Sequence, residues 1–519
     1  MTTWATTARR PGQGLRWWGP SLLLVATAAF LLRLLPVLHG GGLYGRGNYD
    51  DGVYYAAASG LVHGLLPYRD VLLLHPPGIV LALAPFAALA GLVGDPTALA
   101  VARIGFMLLG ALNAVLVGVA LRRSGLAAAV VGGLFYAVLF PVVYVEHTTL
   151  LEPLATTCLL GAVALAGSAA QTRSRIWASL VAAGFLLGVS SAVKIWGVVP
   201  AAAVVAWVLI TLGWRRALAT AGGVAVGATA ICLPFFAAAP GQMWELVVAS
   251  QLGRPTVGAS WAGRAWTIIG LSPFGHTPVG WWLAIAAGIL AACCAAAWTS
   301  PVGRLCVIVL ASMLGVLFTI PAWFLHYAAA AGGPLALVVG AAAGWAATRV
   351  RRPVPVLIIT GVVLGLLGVS AHADLRLPFG KPFPKAELSA AVTAAPGCVT
   401  TDNPISLIEL GVLSRNLDRG CPLVADLGGY SYYMQPHRSA FVPRRKNRPW
   451  QRAAVHYLRS GDVMIGLRFT RTHGFSKASD ATVRSWPVLA RSGKVIVRRP
   501  VGGPSRPSPL PPLEPGLNK

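Results

Sequence analysis

Two adjacent carboxylates, Asp50 and Asp51, lie in the stretch Gly47-Asn-Tyr-Asp-Asp-Gly-Val-Tyr-Tyr55 of a chain in which only 11% of residues are charged. A carboxylate can take the proton of a hydroxyl as that hydroxyl attacks an electrophile, and a close carboxylate pair raises one pKa toward neutrality. If the pair opens the helix suggested by "GVYYAAASGLV", the two side chains leave its axis about 100° apart and cannot share one reacting group. Asp50 is therefore read as the base and Asp51 as its support; a plain helix cap at Asp50 is the competing reading. Four cationic candidates could hold a phosphate: Lys194, the only lysine among the first 380 residues, with Arg69, His75 and Arg103. Lys194 can instead snorkel to an interface. Arg103 lies inside an apolar run, where an unpaired guanidinium costs a few kcal/mol, so it calls for an acid or an anionic ligand. Glu152, followed by Pro153, completes the acid set or joins Asp50 in holding a divalent metal, the one cofactor the pattern allows.

These residues have to be positioned by a membrane protein. The chain is 56% hydrophobic with a mean hydropathy of +0.67, well beyond a soluble domain. Its net charge of +26 does not point to nucleic acid, because much of the arginine sits in short loops between apolar segments. Arginines at 122–123, 173/175, 215–216, 304 and 349/351/352, with Arg9, Arg10 and Arg16, mark one side, and the positive-inside rule makes that side cytoplasmic. Eleven spans follow, near 20–38, 97–121, 125–145, 150–170, 176–193, 196–213, 217–236, 279–298, 303–321, 325–348 and 354–372. The stretch 76–94 breaks this alternation and is read as a helix or hairpin at the outer face. Residues 1–19 form a cytoplasmic N-terminus, and the first span is an uncleaved anchor. The acidic residues before position 373, Asp50, Asp51, Asp70, Asp95, Glu146, Glu152 and Glu245, then all fall on the outer side. Acids hardly influence insertion, so this one-sidedness suggests chemistry concentrated at the outer face.

The segment "YDDGVYYAAASGLVHGLLPYRDVLLLHPPG", Tyr49 to Gly78, resembles the first outer loop of GT-C glycosyltransferases, in the branch of protein O-mannosyltransferases and lipid A aminoarabinose transferases. That branch runs acidic pair, Tyr, basic-Pro-Pro, Arg, acidic-Pro and Lys. Here the order reads Asp50-Asp51, Tyr54, His75-Pro76-Pro77, Arg103, Glu152-Pro153 and Lys194, over roughly residues 20–240. His75 stands where the lipid A enzymes carry lysine, and Glu152 replaces the more usual Asp. The resemblance implies a GT-C-like helical membrane domain over 20–372 that moves a sugar such as mannose or arabinose from a polyprenyl-phosphate donor to a cell-wall glycan, glycolipid or protein acceptor, with inversion. It makes Tyr54 a substrate contact. An enzyme facing outward has no nucleotide-sugar pool, which independently calls for a lipid-borne donor in the plasma membrane.

"WFLHYAAAAGGP" puts His326 and Tyr327 at the outer end of a span, either packed on each other or touching the donor, and both are kept as substrate candidates. The loop 237–273 carries Trp244, Trp261 and Trp266 with Arg254 and Arg264, as interfacial belt residues or acceptor contacts. From about residue 373 to 500 the pattern turns soluble. Strand-like "GCVTTD", a helical run from Pro404, strand-like "CPLVADL", helical "PWQRAAVHYLRS", then "DVMIGL" and "KVIVRR" suggest a small extracytoplasmic α/β domain. Cys398 and Cys421 open the first two of these strands, and parallel neighbours there would bring the sulfurs into bridging range. Residues 501–519 are Pro-rich and expected to be disordered. Rival classes are a polytopic transporter, which would place charge at mid-membrane, and a non-catalytic envelope-assembly protein, which has no need of an acid pair and a lone lysine on one face.

Overall fold

The structure, a computed structural model, describes residues 17–170, 175–275, 278–349, 353–435 and 441–502, with the backbone alone for 353–362. The expected cytoplasmic markers Arg9, Arg10, Arg16, Arg173, Arg351 and Arg352 and nearly all of the Pro-rich tail lie outside the described residues.

Among the described residues nine helices are long and apolar enough to cross a membrane: Trp18–Gly40, Asp95–Ala120, Leu151–Ala169, Ile176–Val193, Ile195–Leu212, Trp214–Ala238, Gly280–Trp298, Pro301–Thr319 and Leu325–Arg349. The pair Leu126–Val138 and Phe140–Glu146, bent by 64°, is long and apolar enough to cross when its two helices are taken together. Pro141 explains that break, because it cannot donate to Ala137 and forces the helix to restart. The helix Pro353–Arg376, of 24 residues, occupies the eleventh expected position. Gly78–Val93 is a single 16-residue helix that runs through Pro85 and is shorter than the spans.

Between spans the packing rests on small residues, since lipid supplies no hydrophobic drive for one apolar helix to leave it for another. Gly184 and Gly188 on one helix face Gly223 and Gly227 on the next, and a Cβ at any of the four would strike the partner's backbone. This double GxxxG contact holds Ile176–Val193 against Trp214–Ala238 and fixes where the first of them ends, at Lys194.

The C-terminal unit carries a four-stranded sheet in the order β3-β4-β6-β5. With β1 as Gly45–Arg46 and β2 as Lys381–Pro382, the sheet strands are β3 Val399–Thr401, β4 Val463–Gly466, β5 Val488–Ser492 and β6 Val495–Arg498. β3 and β4 are parallel and the other pairs antiparallel. Cys398 and Cys421 form the expected disulfide, with Cα atoms 5.8 Å apart. The reason differs from the expected one: 421–427 is not a strand, and Cys421 reaches Cys398 from the turn that ends the helix Leu413–Asp418, where its amide donates to Asn416 O at 2.9 Å.

A strand pair and a buried arginine are among the features that join this unit to the membrane bundle. β1 in the first loop pairs antiparallel with β2 at the head of the C-terminal unit. Arg103, buried at 0% exposure, donates to Asp51 (2.8 Å), to the carbonyls of Gly42, Leu43 and Gly45 (2.8, 2.8 and 3.0 Å) and to Glu409 of the C-terminal unit (3.4 Å).

Candidate active site

A cavity of about 530 Å³ lies where the ends of the spans meet the C-terminal unit. Its walls come from the helix Tyr49–Val62, the 72–75 loop, Arg254 to Val257, the start of the last well-packed span at 324–327, and the C-terminal segments around 426–432, 444 and 468.

The helix Tyr49–Val62 starts where it does because Asn48 caps it, accepting from the Asp50 amide at 3.1 Å. Asp50 is thus not the cap, and the competing structural reading of its carboxylate falls away. The first turn places Asp50, Tyr54 and the ring of Tyr49 on the cavity side. Asp51, turned about 100° further, is fully buried in the ion pair with Arg103. Burial first, and then the neighbouring Asp426, push the Asp50 carboxyl up to about 6, against the pull of Arg468 and Arg254. Asp426 accepts from the Tyr49 hydroxyl at 2.9 Å and from the Gly429 amide at 2.7 Å.

The cations that reach the cavity are Arg254, Arg444 and Arg468. Arg254 Nη1 donates to the Tyr327 hydroxyl at 3.0 Å, and its Nε is buried without a partner among the described residues. Arg468 lies 3.4 Å over the Tyr49 ring. Its place is set by Asp402, which closes β3 and accepts the amides of Leu467, Arg468 and Phe469 at 2.8, 2.9 and 2.7 Å, so that the turn after β4 is clamped to the sheet.

Lys194 and Glu152 form a buried ion pair immediately behind this wall. Lys194 Nζ also sits 4.2 Å over Trp196 and 4.4 Å over Tyr327. Glu152 is held at its helix start by Asn113, which donates to Pro153 O at 3.1 Å and to Glu146 at 3.0 Å. Glu146 in turn accepts from Arg33 at 2.6 Å and Tyr136 at 2.7 Å. A charge inside a bilayer is tolerated when it is paired, and this relay from Arg33 to Lys194 pairs each one.

Of the residues singled out from sequence, Asp50, Tyr54, His75, His326 and Tyr327 line the cavity. His75, buried near Arg254 and Lys194, has its pKa lowered well below the usual imidazole value, so it meets a ligand as a neutral donor or acceptor. Five others do not reach the cavity: Lys194 and Glu152 pair behind its wall, and three more are engaged elsewhere. Arg103 has its guanidinium taken up by carboxylates and carbonyls. Asp51 is its partner. Arg69 is exposed and paired with Asp70 at 2.8 Å. In the tryptophan loop, Trp244 and Trp261 are exposed while Trp266 is buried, and Arg264 donates to Leu317 O and Ile320 O at the end of a span. Sequence reasoning did not assign Asp426, Arg444 or Arg468 to the site, and it offered Arg254 only within a loop of belt residues or acceptor contacts. The first three come from the far end of the chain, and only the tertiary fold brings them to Asp50.

The pair named from sequence for a divalent ion, Asp50 with Glu152, is not assembled. Glu152 engages Lys194 instead of sharing a ligand with Asp50, and among the described residues no three His, Cys, Asp or Glu side chains converge.

Fold and site together define a polytopic helical membrane protein of the GT-C fold, with a small α/β unit closing the site. Among solved structures, ArnT from Cupriavidus metallidurans bound to undecaprenyl phosphate is similar with a TM-score of 0.59 at 15% identity, over 96% of this chain and 100% of that one. Its apo form gives 0.59 at 15%, over 95% and 99%. The Archaeoglobus fulgidus oligosaccharyltransferase in the apo form gives 0.56 at 12%, over 86% of this chain and 69% of that one. No protein-family model matches the chain, and no curated protein matches it.

Proposed function

We propose that the chain is a glycosyltransferase that moves a sugar from a polyprenyl-phosphate donor to a cell-envelope hydroxyl on the outer face of the plasma membrane, with Asp50 as general base. The observation that carries this is Asp50 itself: a carboxylate with no capping or ion-pair duty, poised near 6 in a cavity that also holds three arginines. Further support comes from the similar ArnT, which was crystallised with undecaprenyl phosphate.

In the proposed reaction the acceptor oxygen bonds to the anomeric carbon as the bond from that carbon to the phosphate oxygen breaks. The proton passes to Asp50, and the new negative charge stays on the polyprenyl phosphate. Arg254 faces that charge with its free Nε, and its Nη1 is steadied by Tyr327. Neutral His75, and the His326 ring beside it, supply hydrogen bonds to the sugar or phosphate. Tyr54 and Tyr327 wall the sugar. A single displacement of this kind inverts the anomeric centre. The outward orientation rests on the arginines at the opposite ends of the spans, Arg122, Arg123, Arg175, Arg215, Arg216, Arg304 and Arg349.

Turnover of polyprenyl-phosphate sugars by the membrane-reconstituted protein tests this reading. Asp50→Asn is expected to lower the rate by about 10²–10⁴, the usual worth of a positioned base. A variant that keeps most of its rate would place the base elsewhere.

A further inference from the structure

We infer that the C-terminal unit carries a second binding site, a groove that takes an anionic polysaccharide chain. This groove has a volume of about 1300 Å³ and is distinct from the cavity. Arg445, Lys446, Arg448, Arg452 and Arg459 line it, and none of its lining residues is acidic. Of these, Arg445 donates to Thr472 O at 3.3 Å; elsewhere in the same unit Arg484 pairs with Asp480 at 2.8 Å, and Arg498 donates to the carbonyls of Arg484 and Trp486 at 3.0 and 2.7 Å.

Arg448, Arg452 and Arg459 share one face of the helix Arg448–Arg459, with His456 between them. Like charges one turn apart destabilise an isolated helix, so the stripe calls for a ligand of opposite sign. Arg459 Nε is buried and without a partner among the described residues.

The frame under the stripe is stiff. Asn447 caps the helix at Trp450 N (3.0 Å) and ties it to Met434 O (3.0 Å), while Gln451 donates to Arg444 O and Gly474 O, both at 2.8 Å. The helix packs on β3 and on the helix Lys477–Ser485, whose Ser479 and Thr482 line the opposite wall.

The shape and lining select the occupant. A concave groove suits a chain better than a flat lipid surface. Cations one turn apart are spaced by about 6 Å along the helix axis, close to the length of one sugar unit. The facing hydroxyls suit sugar hydroxyls. The groove also adjoins the cavity: Arg444 lines the cavity and Arg445 the groove, and likewise Tyr432 and Met434. A polysaccharide in the groove therefore lies beside Asp50 as the distal part of an acceptor, a point that rests on the cavity being the transfer site.

Binding of polygalacturonate, neutral dextran and polyglutamate to the full chain in neutral-lipid nanodiscs tests the proposal. Polygalacturonate is expected to bind with strong salt dependence and dextran not at all. The double variant Arg448→Gln/Arg452→Gln should bind polygalacturonate about tenfold more weakly with a melting temperature no lower than that of the wild type. Wild-type affinity in that variant would overturn the proposal, as would polyglutamate binding as tightly as polygalacturonate, which would make the partner an acidic protein. Asp50→Asn should bind like the wild type, so the groove is judged without reference to transfer.

Discussion

Asp50 and Asp51 are neighbours in sequence with opposite duties. Asp51 Oδ2 accepts from Arg103 Nη2 at 2.8 Å with both side chains at 0% exposure, while Asp50 faces the cavity. The turn of the helix separates them, and Asn48, one residue before the helix, frees Asp50 from capping it.

Asp51 is therefore expected to matter for folding more than for chemistry. Asp51→Ala leaves Arg103 a buried charge with less compensation and should destabilise the protein by about 3–5 kcal/mol. Glu409 limits the loss, since its carboxyl, pushed up to about 7 chiefly by burial, can ionise against Arg103 at 3.4 Å. The check is thermal unfolding in detergent together with turnover per folded molecule. A variant that melts normally and has lost its turnover would restore a catalytic role to Asp51.

Much of this was legible in the sequence, for physical reasons. Spans of about 20 apolar residues separated by arginines fix an alternation that chain parity alone can carry. Residues in the first loop and at span ends, such as Asp50, Tyr54, His75 and Tyr327, are near one another because the spans are parallel or antiparallel rods. Asp426 and Arg468 were not legible, because they reach Asp50 across 376 and 418 positions of chain through a small mixed sheet whose strand order no local pattern encodes. Arg103 misled for a related reason: an arginine in an apolar run needs an anion, and the sequence does not say whether that anion is a ligand or, as here, Asp51.

The pH dependence of Asp50 follows from its raised carboxyl. The proposed base works ionised, so turnover should climb as pH passes through about 6 and then level off. Stability runs the other way. A folded-state pKa of about 6 against an ordinary 3.8 gives stability that is present below about pH 4 and lost as pH rises through 6, up to about 3 kcal/mol. Asp50→Asn removes this penalty. It should unfold at a higher temperature than the wild type at pH 7.5 and at nearly the same temperature at pH 4. Equal melting at both pH values would show that Asp50 is not raised.

Asp402 should act on the site only through Arg468. Its three amide contacts hold residues 467–469, and Arg468 is one of the charges that pull the Asp50 pKa down. Asp402→Asn keeps an acceptor but loses charge and one strong contact, which lets Arg468 drift. The midpoint of the pH–rate curve should then move above 6, and Arg468→Ala should move it in the same direction. A lowered rate with an unmoved midpoint in both variants would reduce Asp402 to a purely structural residue.

Lys194 is the natural phosphate ligand by sequence, and in the structure it is paired behind the cavity wall. Its ammonium is engaged by Glu152 and lies against the Tyr327 ring, whose hydroxyl accepts from Arg254. Removing the lysine alone strands the Glu152 carboxylate, so Lys194→Met should cost about 3–5 kcal/mol of stability, and Glu152→Gln in the same background should return most of it. Donor dependence separates support from contact. Arg254→Ala removes a direct charge-assisted contact of roughly 1.5–3 kcal/mol and should raise the donor KM by about 10- to 100-fold. The Lys194→Met/Glu152→Gln pair only loosens Tyr327 beneath Arg254 and should raise it several-fold less. If the pair raises the donor KM as much as Arg254→Ala does, with stability restored, then Lys194 touches the phosphate itself and its bridge to Glu152 opens when the donor binds.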